Sequence, residues 1–164
     1  MGSLRLKVGI LPGLAELYNK SFSRELLDEL KEFITGLPEA IGSSRIDFEI
    51  AETASTEEHM KAEAAKLIDK NVHLIVLVLA PYCPSGVIAP ALNEHKIPLL
   101  LWPAQTVFEF NPEQINAAQI CLSHGVHGVQ DSANILRKRR RPFCILHGHY
   151  LEDGFCEQFE QWTA

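Results

Sequence analysis

The sequence predicts a three-layer α/β protein built around a parallel sheet, and three observations predict it. Strand-like and helix-like segments alternate along all 164 residues. Residues 73–80 read His-Leu-Ile-Val-Leu-Val-Leu-Ala, the near-continuous apolar run of a strand covered on both faces. The stretches between strands are long enough to hold helices, and right-handed crossovers distribute such helices over both faces. Five β/α units of this length point to a flavodoxin-like or Rossmann-like sheet with strand order 2-1-3-4-5. Residues 4–164 read as a single α/β domain, large enough to bury its own core.

The first strand is expected over 4–11, an apolar run interrupted by Lys7 and closed by Pro12-Gly13. From 21 to 37, Phe22, Leu26, Leu27, Leu30, Phe33, Ile34 and Leu37 recur three and four apart, which is one face of a helix. Gly36 and Pro38 are expected to stop it. Residues 46–51 alternate as a half-buried second strand. Ser55 with Glu58 has the form of a capping box, in which both side chains satisfy orphan amides at a helix start. That helix continues over 61–70. After the third strand, a short helix over 85–94 leads to the fourth strand at 97–102. Pro112 suits a first helical turn, with helix over 113–123 resuming over 129–138. The fifth strand is expected at 142–146 and the last helix at 152–162. No repeat, low-complexity tract or interdomain linker interrupts this rhythm.

Composition narrows the function classes. The chain is 46% hydrophobic and 22% charged, as an ordinary globular protein is. Its net charge of −6 argues against nucleic acid as a partner, since such binders need a basic face to displace counterions. The run from Arg137 to Arg141 departs from that balance. It reads as a solvated helix C-terminus complementing the helix dipole or, alternatively, as a phosphate or polyanion site. Cys83, Cys121, Cys144 and Cys156 show no C-x-x-C spacing and follow no signal peptide. Reduced thiols in a cytoplasmic protein are therefore expected, rather than disulfides or a structural zinc site. Cys144, in an apolar run, is expected to be a small core hydrophobe. The longest apolar stretch, 73–81, is far too short to cross a bilayer, so no membrane partner is expected.

Four of the seven histidines fall between His124 and His149. Imidazole titrates near neutral pH and ligates transition metals, which makes this cluster the main hint of chemistry. Neighbouring glycines would let backbone approach a ligand closely. His124 and His127 are three apart, a spacing that lets two imidazoles on a helix share a face and a metal. Gly125 and Gly128 argue against a continuous helix there. His124 reads as a helix-end residue, and His127, at the bend before Gly128, as the better functional candidate. His147 is a packing residue or a ligand at the end of the fifth strand, and His149-Tyr150 is a further candidate. His59, His73 and His95 read as surface or strand-edge positions. Tyr18 either caps the core or projects into a cleft. Gln105, after Trp102-Pro103-Ala104, is a neutral hydrogen-bonding side chain suited to sugar hydroxyls.

Standard signatures of other α/β proteins are missing. No G-x-G-x-x-G follows the first strand, and neither a Walker A nor a G-x-S-x-G elbow is present. The acidic positions of a phosphoacceptor domain are held by Leu11-Pro12 and Ala80-Pro81. No close carboxylate pair marks an acid/base site, Asp131 and Glu52 being the nearest candidates. The chain reads as better equipped to bind a polar ligand than to transform one.

The run from Ala118 to Leu136, with Gly148-His149-Tyr150 after the following strand, resembles the N-terminal part of the L-arabinose/L-fucose isomerase superfamily. In arabinose isomerases this stretch follows a pattern like Asn-Gln-x-Ala-His-Gly-Asp-Arg-Glu, then a strand ending in Gly-His-Trp. His127-Gly128 matches its His-Gly, while Val129-Gln130-Asp131 keeps only the acidic third position. Gly13 to Tyr18 is similar to the family's Gly-Ser-Gln-His-Leu-Tyr, retaining Leu17 and Tyr18 but with Ala15 where glutamine is usual. Leu100 to Gln105 is similar to the family's His-Thr-Gln and retains Gln105. The resemblance spans nearly the whole chain, through short and partly kept motifs.

It implies a flavodoxin-like N-terminal domain that contributes substrate contacts to a neighbouring subunit's active site, in a homo-oligomer. Such enzymes interconvert aldoses and ketoses through an enediol, with a divalent metal, usually Mn²⁺. The metal ligands and acid/base carboxylates belong to later domains, so no cofactor is expected on this chain itself. By position, Leu17, Tyr18, Gln105 and His127 are the implied contacts to a small-molecule sugar, and no catalytic residue is implied here. The substitutions at Ala15, Val129 and Gln130 imply a sugar other than arabinose. Two other readings stand beside this one: a stand-alone sugar-binding module without catalytic activity, and a small enzyme using His127 as acid/base.

Overall fold

The computed structural model describes residues 5–113 and 116–162. Leu4 of the expected first strand and 114–115 of the expected helix at 113–123 lie outside the described residues. Five parallel strands, β1 (Leu6–Pro12), β2 (Ile46–Ile50), β3 (Leu74–Val78), β4 (Leu99–Trp102) and β5 (Cys144–Ile145), form one sheet ordered β2-β1-β3-β4-β5. Val8 stands opposite Phe48 on one side and Leu74 on the other, and Val76 opposite Leu100. The expected order is the observed one.

Helices cover both faces, as the crossovers require. Strand side chains alternate, so Leu74, Val76 and Val78 join one core while Ile75, Leu77 and Leu79 join the other. The first core takes its helical part from α2 (Arg24–Ile41), α5 (Ala117–Leu122) and α7 (Phe155–Gln161), through Leu30, Ile34, Leu37, Leu122, Phe155 and Phe159. The second takes it from α3 (Glu57–Asp69), α4 (Ser85–Asn93) and α6 (Gly125–Lys138), through Met60, Leu67, Ile88, Leu92, Val129 and Leu136. All five residues of β3 are buried, which is why its sequence lacks polar alternation.

Element ends differ from the sequence reading for identifiable reasons. Helix α2 runs through Gly36 and Pro38 to Ile41. Pro38 cannot donate to the Ile34 carbonyl, a loss of roughly 3 kcal/mol in a helix interior. Burying Leu37 and Ile41 returns roughly 1.5–3 kcal/mol each, so the helix continues. It stops at Gly42, whose φ of 70° is left-handed and whose N–H donates to the Pro38 carbonyl at 3.1 Å. The cap of α3 is Thr56 instead of Ser55; its hydroxyl accepts from the His59 N–H at 3.2 Å. Pro112 lies in an exposed loop, and α5 starts instead from a capping box between Asn116 and Gln119. A six-residue helix, α1 (Glu16–Ser21), follows β1 where only a loop was expected. Cys144 is exposed rather than core, because β5 is a two-residue edge strand whose packing falls to Leu146. No helix among the described residues is long and apolar enough to cross a membrane.

Candidate functional site

The order β2-β1-β3 makes the carboxyl ends of β1 and β3 the point where successive connections leave in opposite directions, and a crevice opens there. It is a cavity of about 530 Å³ whose lining includes Leu17, Tyr18, Ser55, Thr56, Glu57 and Tyr82. Helix α1 sets the first two, held by a Glu16–Lys20 ion pair at 2.6 Å and an Ala15 N–H donated to the Tyr82 carbonyl at 2.9 Å. Tyr18 is half-buried, its ring stacked on Phe22 at 4.8 Å. Burial, then the neighbouring Cys121, pushes its phenol pKa upward, so at neutral pH it is a neutral donor and acceptor. Leu17 is 70% exposed, an apolar side chain standing free at the crevice rim.

Tyr82 comes from the loop after β3. Its hydroxyl lies 3.5 Å from Asp131 Oδ2, and burial followed by the Asp131 charge pushes its pKa up. The same carboxylate oxygen accepts from the Ser85 N–H at 2.9 Å, at the first turn of α4. Asp131 therefore neutralises a helix start and orients a tyrosine. This is a positioning role.

Gln105 and His127 stand on the same edge of the sheet but outside that cavity's lining. Gln105 is half-buried in the loop after β4, and His127 is exposed in the first turn of α6. The structure thus brings Leu17 and Tyr18 together in one cavity and leaves Gln105 and His127 beside it. Contrary to expectation, α6 is continuous from Gly125, so the His124 and His127 rings meet at 4.2 Å between centroids. The glycines have a packing reason. A Cβ on Gly125 would lie 1.6 Å from the Leu79 carbonyl oxygen, and one on Gly128 would lie 2.9 Å from Leu79 Cδ1. What approaches these glycines is the end of β3, not a ligand.

The two later histidines differ in burial. His147 is exposed, while His149 is 4% exposed. The Gly148 carbonyl between them accepts from Trp102 Nε1 at 3.1 Å, fixing the corner after β5. His149 Nδ1 accepts from the Leu151 N–H at 3.1 Å, so the neutral ring carries its proton on Nε2. Burial lowers the His149 pKa, against smaller opposing effects of the Gln105 carbonyl and the Glu152 carboxylate. The unfolded chain therefore takes up this proton at a higher pH than the folded one. The stability this neutral ring contributes is present above its ordinary value of about 6.5 and is lost as pH falls from there through the lower folded value. Urea unfolding of the native chain should weaken from pH 7.5 to 5.5 more than that of a His149→Gln variant. Equal losses in both would refute this assignment.

Sequence reasoning missed one constellation. Glu52, after β2, meets His59 and Glu63 of α3 with their ligand atoms within 4.8 Å of one another. His59 Nε2 stands 3.8 Å from Glu52 Oε2 and 3.7 Å from Glu63 Oε1. The spacing of His59 and Glu63, four apart on one helix, was readable; the return of Glu52 after a strand was not. Glu63 is already satisfied, Oε1 by the Lys66 ammonium and Oε2 by the Glu52 N–H at 2.9 Å. A divalent cation would have to displace Lys66 from Oε1 and the Glu52 amide from Oε2, so Glu63 is not open to a metal as it stands. All four cysteines are free, and burial pushes the Cys83 thiol up to about 12, leaving it inert.

Compared with known proteins, the chain matches no family model and no curated protein.

Proposed function

We propose that the chain is the sugar-recognition and assembly domain of an aldose–ketose isomerase of the L-fucose/L-arabinose type, with the catalytic metal held by parts of the assembly outside it. The observation that carries this reading is the crevice at the β1/β3 ends, which pairs the rings of Tyr18 and Tyr82 with hydroxyls and a carboxylate. A pyranose or open-chain sugar needs both: apolar C–H faces to lie on a ring, and donors and acceptors for its hydroxyls. Tyr18 and Leu17 supply the contacts in the crevice, with Gln105 and His127 beside it on the same edge of the sheet. The domain's role is to bind and orient; it moves no proton by itself.

The assembly part of the reading rests on exposed apolar side chains. Leu17, Phe108, Phe110, Ile120, Val126 and Leu151 are each 44–70% exposed, and all sit on segments that follow strand carboxyl ends. Exposed apolar side chains on these segments suit a second protein surface that covers them from water. A homo-oligomer of isomerase subunits would provide that surface.

Saturation-transfer NMR on the chain, with millimolar L-arabinose, L-fucose, their ketoses and their alditols, tests the reading. At least one sugar should show transfer, and Tyr18→Ala should weaken it about tenfold, the loss of roughly 1.4 kcal/mol expected for a ring contact with a hydrogen bond. Absence of transfer from every sugar, or transfer unchanged in a Tyr18→Ala/Tyr82→Ala double variant, would overturn it.

A further inference from the structure

The opposite, amino-terminal edge of the sheet holds a second cavity of about 610 Å³, formed where β3, β4 and β5 begin. Lys96, Arg139, Arg140 and Arg141 stand around it, with Phe143 and Trp162 as aromatic walls. Four permanent cations in one cavity are a local excess in a chain of net charge −6. None of the four has a carboxylate partner among the ion pairs of the described residues. The solvated helix end expected for this basic run accounts for Arg137 and Lys138, in the last turn of α6, and for the exposed Arg139 and Arg140, but not for Arg141.

Arg141 is half-buried and rigidly held. Its Nε donates to the Leu92 carbonyl and Nη1 to the Pro142 carbonyl, both at 3.0 Å, and Nη2 donates to the Ile97 carbonyl. Carbonyls satisfy its N–H groups without cancelling its charge, and burial pushes its pKa down. Arg140 adds a second, independent observation. Helix α6 closes in a Schellman arrangement, with the Arg140 N–H on the Arg137 carbonyl at 3.0 Å and the Arg141 N–H on the Leu136 carbonyl at 2.9 Å. That geometry needs a left-handed residue, and Arg140 has a φ of 57°. Glycine is the unstrained choice there, yet the position carries a guanidinium at the cavity mouth.

We propose that this cavity binds a phosphorylated small molecule, its phosphates on Arg139, Arg140 and Lys96 with the carbonyl-held charge of Arg141 behind them, and its apolar body against Phe143 and Trp162. Planar, weakly hydrated guanidinium groups match phosphate oxygens in pairs, and uncompensated arginines lose least by accepting them. The volume is that of a small-ligand site, and the chain's net charge of −6 disfavours extended polyanions. The site is independent of the sugar crevice on the other edge.

Calorimetric titration of the whole chain with ADP, pyrophosphate and adenosine tests it, with Trp162 emission as a second readout, since Trp102 is only 1% exposed. ADP and pyrophosphate should bind saturably, and adenosine at least tenfold more weakly than ADP. Arg139→Gln and Arg140→Gly should each weaken ADP about tenfold. Arg140→Gly should at the same time raise the unfolding temperature, because glycine relieves the left-handed strain, so lost binding cannot come from a lost fold. No saturable binding of either phosphate compound, adenosine as tight as ADP, or ADP affinity unchanged in an Arg139→Gln/Arg140→Gly double variant would each overturn the proposal.

Discussion

Replacing Gly125 by alanine is expected to cost about 3 kcal/mol or more, although alanine is the better helix former by about 1 kcal/mol. The reason is one backbone atom. The added Cβ would sit 1.6 Å from the Leu79 carbonyl oxygen and 3.0 Å from that of Ala80. Leu79 cannot retreat, because it is fully buried and its N–H is bonded to the Trp102 carbonyl at 3.0 Å. The start of α6 must lift instead, pulling Gly128 and Val129 out of the second core and loosening Asp131 from the first turn of α4. Gly36→Ala makes the same chemical change in α2, where no atom lies within 4 Å of the added Cβ. It should stabilise the chain by roughly 0.5–1 kcal/mol. Urea unfolding followed by circular dichroism reads both. A Gly125→Ala chain within 1 kcal/mol of the native one would mean that α6 is not pinned to β3.

That contrast shows what the sequence discloses and what it withholds. The sheet was legible because each strand is a short apolar run whose content reflects burial, with β3 the extreme case. Order and layering followed from counting units, since crossover handedness leaves few alternatives. Glycine was misread twice for one reason: its effect depends on what stands opposite it. Gly36 looked like a stop but faces open space, and Gly125 and Gly128 looked like a break but let a helix dock. Pro38 likewise looked terminal because the burial of Leu37 and Ile41, which outweighs it, belongs to tertiary structure.

The candidate site was less legible, because a site depends on which loops return to the same edge. Placement at the strand carboxyl ends was predictable, and Leu17, Tyr18, Gln105 and His127 all lie there. That Tyr82 and not Gln105 shares the cavity with Tyr18 depends on the course of the loops after β3 and β4, for which no periodic pattern exists. The four histidines of the cluster take different parts in the structure. Two of its rings meet on α6, one is exposed, and the fourth is buried as a neutral packing group.

Glu63 should show the second large effect, and its pH dependence identifies the cause. The residue is 2% exposed, and burial alone would raise its pKa. The hydrogen bond from Lys66, the Glu52 amide, and the charges of Lys66 and His59 outweigh burial, so the net shift is downward. A carboxyl with a lowered folded pKa stabilises the fold fully above its ordinary value of 4.5, and that contribution is lost as pH falls through the folded value. Glu63→Leu strands the Glu52 N–H and leaves Lys66, itself 61% exposed, free to re-enter water. Solvent rescue of the lysine keeps the cost below that of breaking a fully buried pair, at about 2–3 kcal/mol near pH 7. Glu63→Gln keeps the shape and an acceptor for Glu52 but removes the charge, so it should lose about 1–2 kcal/mol. The gap between the native and Glu63→Gln chains should then close at acid pH, where the native carboxyl is protonated too. A gap that stays constant from pH 7 down to the acid limit of folding would assign Glu63 to packing alone and remove the ion network from the account of why the β2–α3 loop holds its shape.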